Sequence, residues 1–384
     1  MSEDVAIIGI GLHPFGRHKD VSAMEMGVIA VKRALADAGL AWRDIQMAYG
    51  GSLSVMHPDT MVKYLGLTGI PFANIFNGCA TGGNCLINAA NAIKAGAADI
   101  ALAVGLDKHP PGAFSAGNSM GGLGLGEWYG ETGLAVNPQF FAMKMKRYMH
   151  DHGISEDCLH RVAMKAFRNG AKNPDAWRRK ELSYEEIANS VMVCDPLRKY
   201  HFCAPSEGAA ALIVCRADLA HRYTSHPISL DAALFKTRKN GAFEVMSPAQ
   251  SVRESPSPSV QASQAAYEIA GIGPEDIDVA QIQDTEVGHE IMHMAECGFC
   301  KDGEQEELIR AGATEVDGRI PINTDGGLLA NGEPVGASGL RQVHEICVQL
   351  RGTAGARQVP NQPTTGFTHV YGFPGASCVT VLSR

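Results

Sequence analysis

The sequence contains no run of 18 or more consecutive apolar residues, so it offers no candidate for a helix that spans a bilayer. A positively charged start followed by an apolar stretch is also missing. Met1-Ser2-Glu3-Asp4-Val5 passes directly into strand-like Ala6-Ile7-Ile8-Gly9, and the expected compartment is the cytoplasm. Basic excess is lacking: 33 Lys and Arg face 41 Asp and Glu, for a net charge of −8. A nucleic-acid partner would need the opposite balance on at least one face. The ten cysteines show no pairing pattern, and Cys297 and Cys300 form a lone C-x-x-C without a second pair to complete a zinc site. Reduced thiols and no metal are the expectation. What remains is an ordinary globular composition, 45% hydrophobic and 19% charged over 384 residues, a length that suits two fused core domains.

The chain repeats itself. Ala34-Leu35-Ala36-Asp37-Ala38-Gly39-Leu40 leads to Asp44-Ile45 and Ala48, and Ala266-Tyr267-Glu268-Ile269-Ala270-Gly271-Ile272 leads to Asp276-Ile277 and Ala280, an offset of 232 positions. Each copy reads as an Ala-rich helix stopped by a glycine, with a short loop feeding a buried strand. A second pair, offset by 256, sets Cys79-Ala80-Thr81-Gly82-Gly83 and its helical run to Gly96 against Val335-Gly336-Ala337-Ser338-Gly339 and the run to Gly352. Two matches in the same order point to duplicated halves. Strands are expected at Val5–Ile10, Ile100–Val104, Ala209–Val214, 228–234, 279–283 and 376–382, and a helix near 22–38. Residues from about 109 to 200 break this rhythm. They read as an inserted cap or dimer-contacting segment, with a flexible Gly117–Gly126 stretch, a Met143–Met149 run that packs a helix, and a charged helical part from Asp151 to Lys180. Ser255–Pro258 reads as a loop.

Four segments carry a specific resemblance: Asn77-Gly78-Cys79-Ala80-Thr81-Gly82-Gly83, Ser206-Glu207-Gly208-Ala209-Ala210-Ala211, Gly332-Glu333-Pro334-Val335-Gly336-Ala337-Ser338-Gly339, and Gly372-Phe373-Pro374-Gly375-Ala376. In this order they resemble the thiolase superfamily, most closely its sterol-carrier-protein-X-like members. The resemblance implies an α/β thiolase fold, with two duplicated mixed-sheet halves (1–227 and 228–384) in a five-layer αβαβα sandwich carrying an inserted loop domain.

Cys79, just ahead of a helical run, is placed where the helix dipole and free backbone N–H groups favour thiolate, as an acyl-accepting nucleophile requires; the competing reading is a structural cysteine. Glu333 stands where the family motif has a histidine that donates to the thioester oxygen as enolate charge develops. A carboxylate fills that role only when protonated, and otherwise serves as a base or orients a water; it also suits a plain helix cap. Gln283-Asp284-Thr285-Glu286 replaces the Asn-Glu or His-Asp-Cys element of related thiolases. It leaves Asp284 as a polar residue at a strand end, catalytic or structural, with His289 five positions on. The C-terminal segment Thr368-His369-Val370-Tyr371-Gly372 reads as a loop without the acid/base cysteine that thiolases carry there, and Cys378 falls inside the last strand. Tyr371, or else His369, would face the reaction centre. A phenol with a pKa near ~10 can move a hydroxyl proton when neighbouring donors support its anion; the competing reading is an apolar wall. Lys108 and His109 line the cleft, and Gly336, Ser338, His289 and Gly372 complete the expected substrate contacts.

Without the second cysteine and the enolate-binding histidine, thiolysis lacks its acid/base. The altered set resembles bacterial aldolases that shorten steroid side chains. The resemblance implies retro-aldol cleavage of a β-hydroxyacyl-CoA to a ketone and a short acyl-CoA, with the coenzyme A thioester as substrate and no other cofactor. It also implies a homodimeric core bound to a small zinc-ribbon/OB-fold acyl-CoA-binding partner, giving a heterotetramer. The alternatives are an acyltransferase using Cys79 and a non-catalytic acyl-CoA- or sterol-binding scaffold for a hydratase.

Overall fold

In the computed structural model, which describes residues 4–113, 137–240, 255–360, 362–372 and 375–384, the sequence repeats become one piece of structure built twice. Strand β1 (Val5–Gly16) leads to helix α1 (Ala23–Asp37), strand β2 (Met47–Gly51), the single turn α2 (Val62–Leu65), strand β3 (Phe72–Ile75), helix α3 (Thr81–Lys94) and strand β4 (Ile100–Lys108). Helices α4 (Asn137–His152), α5 (Glu156–Lys172) and α6 (Tyr184–Ala188) and the hairpin β5 (Met192–Cys194) and β6 (Leu197–Arg198) follow, before β7 (Glu207–Arg216). The second half runs β8 (Ile228–Thr237), α7 (Pro258–Ala270), β9 (Val279–Ile282), α8 (Val287–Glu296), α9 (Gln305–Arg310), α10 (Gly327–Asn331), α11 (Ser338–Leu350), β10 (Thr365–Gly372) and β11 (Ala376–Ser383).

The repeat reaches down to single hydrogen bonds. Helices α1 and α7 both end at a left-handed glycine, Gly39 (φ 63°) and Gly271 (φ 70°), where a residue with Cβ would be strained. A short 3₁₀ turn follows each, and its last aspartate takes back the amide that opened it: Ala41 N–H donates to Asp44 (2.8 Å) and Gly273 N–H to Asp276 (2.8 Å). Helix α1 is opened by a capping box, in which Glu25 N–H donates to Ser22 Oγ (3.2 Å) and Ser22 N–H to the Glu25 carboxylate (2.8 Å).

The strands follow the order β3-β2-β4-β7-β1-β8-β11-β10-β9. In the first half β2 and β4 are parallel while β4, β7 and β1 alternate; in the second β9 and β10 are parallel while β10, β11 and β8 alternate. The counterpart of β3 is reduced to a bridge between Ala280 and Ile322. Two residue pairs, Ala6–Ser229 and Ile7–Ile228, join β1 to β8. Helix α1 covers the outer face of the first half, α7 packs on β8 and β11, and α3 and α11 lie between, touching strands of both halves. This is the five-layer order, and the apolar residues divide among the layers accordingly.

At the start of the central layer the two halves meet glycine to glycine. A methyl group on Gly339 would lie 2.6 Å from Gly83 N, and these two are equivalents under the 256-residue repeat. One on Gly105 would run into the Gly336 carbonyl.

The described part of the insertion belongs to the second half. Helix α5 buries Leu159, Val162, Ala163 and Ala166 along one stripe. With Phe140 and Met145 of α4, these share a core with Ile282, Ile291 and Phe367. Residues 117–126 lie outside the described residues. Two expectations need correcting. Pro258 is not loop but the first residue of α7, behind Ser257, whose Oγ accepts from Val260 N–H (3.3 Å). Thr368–Gly372 is not a loop either; it completes β10, paired with β11 along its length and with β9 as far as His369. Strand alternation therefore puts His369 and Tyr371 on one face, with Val370 and Gly372 on the other.

Candidate active site

The loop Asn77–Ala80 turns tightly into α3: Gly78 has φ 57°, Ala80 N–H donates to Asn77 O (3.2 Å), and Thr81 N–H donates to Gly78 O (3.0 Å). Thr81 Oγ1 accepts from Asn77 N–H (2.8 Å). This leaves Cys79 outside the helix, which begins at Thr81. Gly372, at the end of β10, packs so closely on the loop that any side chain there would strike Asn77 O. The first half thus presents a thiol directly beside the last residues of β10.

Facing Cys79 across the inter-half seam is Glu333, 1% exposed. Gly332 (φ 77°) ends α10, and Glu333 N–H donates to Ala204 O (2.9 Å), fixing its backbone. Its carboxylate accepts from the Cys79 thiol, from Cys203 Sγ (3.5 Å) and from Gln283 Nε2 (3.5 Å), and it feels the His109 and His289 imidazoles. Burial lifts the Glu333 carboxyl above its ordinary range, against those donors. Burial also pushes the Cys79 thiol well up, and the Glu333 charge and hydrogen bond add to that. These effects oppose the helix-activated thiolate expected at this position. A partial charge at a helix start does not outweigh loss of solvent and a carboxylate within hydrogen-bond reach. Cys79 is a thiol that donates.

Two other buried carboxylates hold the walls. Asp107, at the end of β4, accepts from Leu53 N–H (3.0 Å), Ser54 N–H (2.6 Å), Ser52 Oγ (2.7 Å) and, from the other half, Gly336 N–H (2.6 Å). Burial pushes its carboxyl up, but hydrogen bonds from His109, Ser54 and Ser52 prevail and hold it below the usual value. Asp284 accepts from Leu328 N–H (2.7 Å) and Leu329 N–H (3.3 Å), the first amides of α10. Burial and the Glu290 charge push its carboxyl well up. Asp284 thereby caps α10, and its charge also reaches Cys203, one of the Glu333 partners. Gly336 and Ser338 are likewise engaged internally, the amide of Gly336 by Asp107 and Ser338 Oγ by Pro334 O (3.1 Å). His109 stays at the site, with Nε2 3.5 Å from Asp107 Oδ2 and 3.4 Å from Val335 N.

The second half supplies the rest. Tyr371 is half-buried at the end of β10, whereas His369 is fully buried two residues earlier. His369 Nε2 is held by Ser259 Oγ (2.8 Å) on α7, and burial lowers its pKa well below 6.5. His369 thus lies two residues before Tyr371 on the same face of β10, deeper in the protein. His289 is buried under Phe141 (ring centres 4.5 Å apart), with Nδ1 2.9 Å from Glu286 Oε1.

Sequence reasoning missed Cys203, Gln283 as a partner of Glu333, and the pair His293–Glu296. His293 lies between His369 (4.4 Å) and Tyr371 (6.0 Å), with Nδ1 2.6 Å from Glu296 Oε2. The signal was present, because His289-Glu290-Ile291-Met292-His293 has the H-E-x-x-H spacing on a helix. Glu290 points the other way, to Lys165 (2.5 Å) and Asn323 Nδ2 (2.8 Å). Among the described residues no three His, Cys, Asp or Glu side chains are placed to hold a metal ion. All ten cysteines are free thiols, Cys297 and Cys300 included. No helix among the described residues is long and apolar enough to cross a membrane.

Comparison with known proteins locates this arrangement. Residues 5–218 match the family described as "Thiolase, N-terminal domain" and residues 246–384 the one described as "Thiolase C-terminal domain-like". The sequence is 33% identical to an acetyl-CoA acetyltransferase of Methanothermobacter thermautotrophicus, over 99% of this chain and 100% of that one. It is 31% identical to human sterol carrier protein 2, over 98% of this chain and 71% of that one. Among solved structures it superposes on an Ltp2-ChsH2(DUF35) aldolase with a TM-score of 0.87 at 25% identity, covering 99% of this chain and 98% of the other.

Proposed function

The chain belongs to the thiolase family, and on that premise we propose that it is an aldolase that cleaves a β-hydroxyacyl-CoA into a ketone and a short acyl-CoA. The observation that carries this reading is the buried Glu333 carboxyl set beside the Cys79 thiol, where the family motif has a histidine. A nucleophile that must start each cycle as a thiolate is poorly served by a neighbour that keeps its proton on. Retro-aldol chemistry asks for no acyl-enzyme. Tyr371 takes the β-hydroxyl proton, the bond between the α and β carbons breaks, and its electron pair moves into the thioester carbonyl. Backbone N–H groups around Cys79 and Gly372 hold the oxygen. On protonation Glu333 donates to that oxygen as a neutral acid, the one form in which a carboxyl replaces the family histidine; burial works in that direction. Return of the proton to the α carbon completes the cycle. His109 and His289 flank Glu333 and bias how much of it is neutral.

The likeness to a solved aldolase supports the reaction class. The two names in that structure's description are consistent with a partner protein. A zinc-ribbon/OB-fold acyl-CoA-binding partner on a homodimeric core and a steroid side-chain thioester as substrate are what the sequence resemblance implies. A second reading is favoured by the relative named as an acetyl-CoA acetyltransferase and by the same Cys79–Glu333 contact. If Glu333 removes the thiol proton on acyl transfer, Cys79 becomes acylated. Incubation with acetyl-CoA and with a steroid-derived β-hydroxyacyl-CoA, followed by product analysis and intact mass, decides between them. Ketone and short acyl-CoA products from an enzyme that stays unmodified and survives Cys79→Ala are the expected result. A persistent acyl adduct on Cys79, lost together with turnover in Cys79→Ala, would sink the aldolase reading in favour of acyl transfer. Tight binding of the thioester with no turnover would leave a scaffold.

A further inference from the structure

We infer that Glu296 and His293 form a proton-accepting dyad behind Tyr371, a positioning pair that takes the phenol proton as Tyr371 takes the substrate's. The inference rests on the retro-aldol reading and deepens it. Its basis is geometric. Helix α8 sets His293 and Glu296 three residues apart, and the imidazole Nδ1–H donates to the carboxylate at 2.6 Å. That bond fixes the tautomer and leaves Nε2 as the lone-pair nitrogen. Nε2 is buried and has no hydrogen-bond partner among the described residues. A buried nitrogen left without a partner is costly, and one is tolerated where chemistry uses it. Two rings of β10 neighbour it, His369 at 4.4 Å and Tyr371 at 6.0 Å between centres, and of the two only the Tyr371 phenol always carries a proton to give to a neutral imidazole.

The surroundings suit a base that must be neutral at rest and charged in passing. On its own helix His293 faces Glu296 and His289; from α4 it faces Lys144; from β10 it faces His369 and Tyr371. Burial lowers the His293 pKa, with His289 and Lys144 adding to that and Glu296 opposing. For Glu296, burial pushes the carboxyl up, but the His293 hydrogen bond, Lys144 and His369 prevail and hold it ionised. A carboxylate kept charged behind a neutral imidazole is the arrangement that stabilises a transient imidazolium. The protons balance. The substrate hydroxyl proton passes to Tyr371 Oη as the Tyr371 proton passes to His293 Nε2, and the C–C bond breaks to give the enolate. The imidazolium then returns its proton through Tyr371 to the α carbon. No oxidant, reductant or co-reactant is needed.

The test is the pH profile of retro-aldol turnover by the whole enzyme with its acyl-CoA-binding partner. Wild type should lose activity as pH falls through the His293 pKa, below the ordinary imidazole value of ~6.5. His293→Gln should lower kcat by about 100-fold at neutral pH, with KM within about threefold, and should replace the acid limb by activity that climbs with pH as Tyr371 ionises to solvent. Glu296→Gln should show the same change to a smaller degree, and serves if the histidine variant does not fold. An unchanged profile in the folded variants overturns the dyad. Should wild type cleave no β-hydroxyacyl-CoA, it is the aldolase reading that fails, and the dyad is judged by NMR. A downfield imidazole N–H resonance, absent in His293→Gln and displaced in Tyr371→Phe, supports the coupling; one unmoved by Tyr371→Phe overturns it.

Discussion

The two halves share strand order, helix caps and even the aspartates that close their 3₁₀ turns, yet they put different things into the cleft. The first half contributes two thiols, Cys79 and Cys203, the His109 imidazole and a well-satisfied carboxylate, Asp107, whose donors come from both halves. The second contributes Glu333, His289, His293, Glu296 and Tyr371, with the Glu333 carboxyl raised and the His293 and Glu296 values lowered, and helices α4 and α5 of the insertion share its core. The difference teaches a division of labour: the first copy of the fold brings the thiols, and the second brings the carboxyl, the tyrosine and the buried histidine–glutamate pair.

Exchanging the weight of the halves should break this picture most visibly. Tyr371→Phe is expected to lower retro-aldol kcat by about 1,000-fold, within the range for loss of a general base, whereas Cys79→Ala should cost less than about tenfold, both measured as ketone release at saturating thioester. A larger effect at Cys79 would return the chemistry to the first half.

A smaller contrast lies in the two wall carboxylates. Asp107→Asn should destabilise by about 2 kcal/mol, since several donors lose a charged acceptor. Asp284→Asn should cost about 1 kcal/mol or less, because burial already taxes the charged form of Asp284. Their pH signatures have opposite sign. Asp107 is held below its unfolded value, so its contribution is present above ~4 and is lost as pH falls through the folded pKa. Asp284 is held above, so its contribution is greatest in acid and is lost as pH rises through the folded pKa. Thermal melts of both variants across the acid range should separate the two.

The smallest effect tests the likeness rather than the difference. Gly39→Ala and Gly271→Ala both place a side chain at positive φ with open space around it. Each should cost about 1 kcal/mol, and unequal costs in denaturant melts would mean that the repeated turns are not equivalent in energy.

Much of the fold was legible because duplication writes it twice. The glycine stops at 39 and 271, the turn aspartates and the paired helix starts each predicted the other. β10 was misread because Thr368–Gly372 follows the motif position of a family loop, and only its pairing with β9 and β11 reveals a strand. Cys79 and Glu333 were found from their motifs, but the protonation of Cys79 depends on a contact between residues 254 positions apart (79 to 333) and on burial, neither of which is written locally. Asp284 and Gly336 looked like ligands for the substrate because chemistry-bearing residues at strand ends attract that reading. The hydrogen bonds that they make to neighbouring loops were not legible in the sequence. His293 and Glu296 were passed over because an i, i+3 pair on a helix is usually a solvated one, and here the helix is buried.

The close meeting of Gly83 with Gly339, and of Gly105 with Gly336, has a consequence for descent. Once two duplicated segments are fused backbone to backbone, neither can acquire a side chain there unless its opposite number retreats. The catalytic loops on either side were free to part company, one keeping a thiol and the other trading an imidazole for a carboxyl. The seam between them was not, and it should be the place where the history of the duplication stays readable longest.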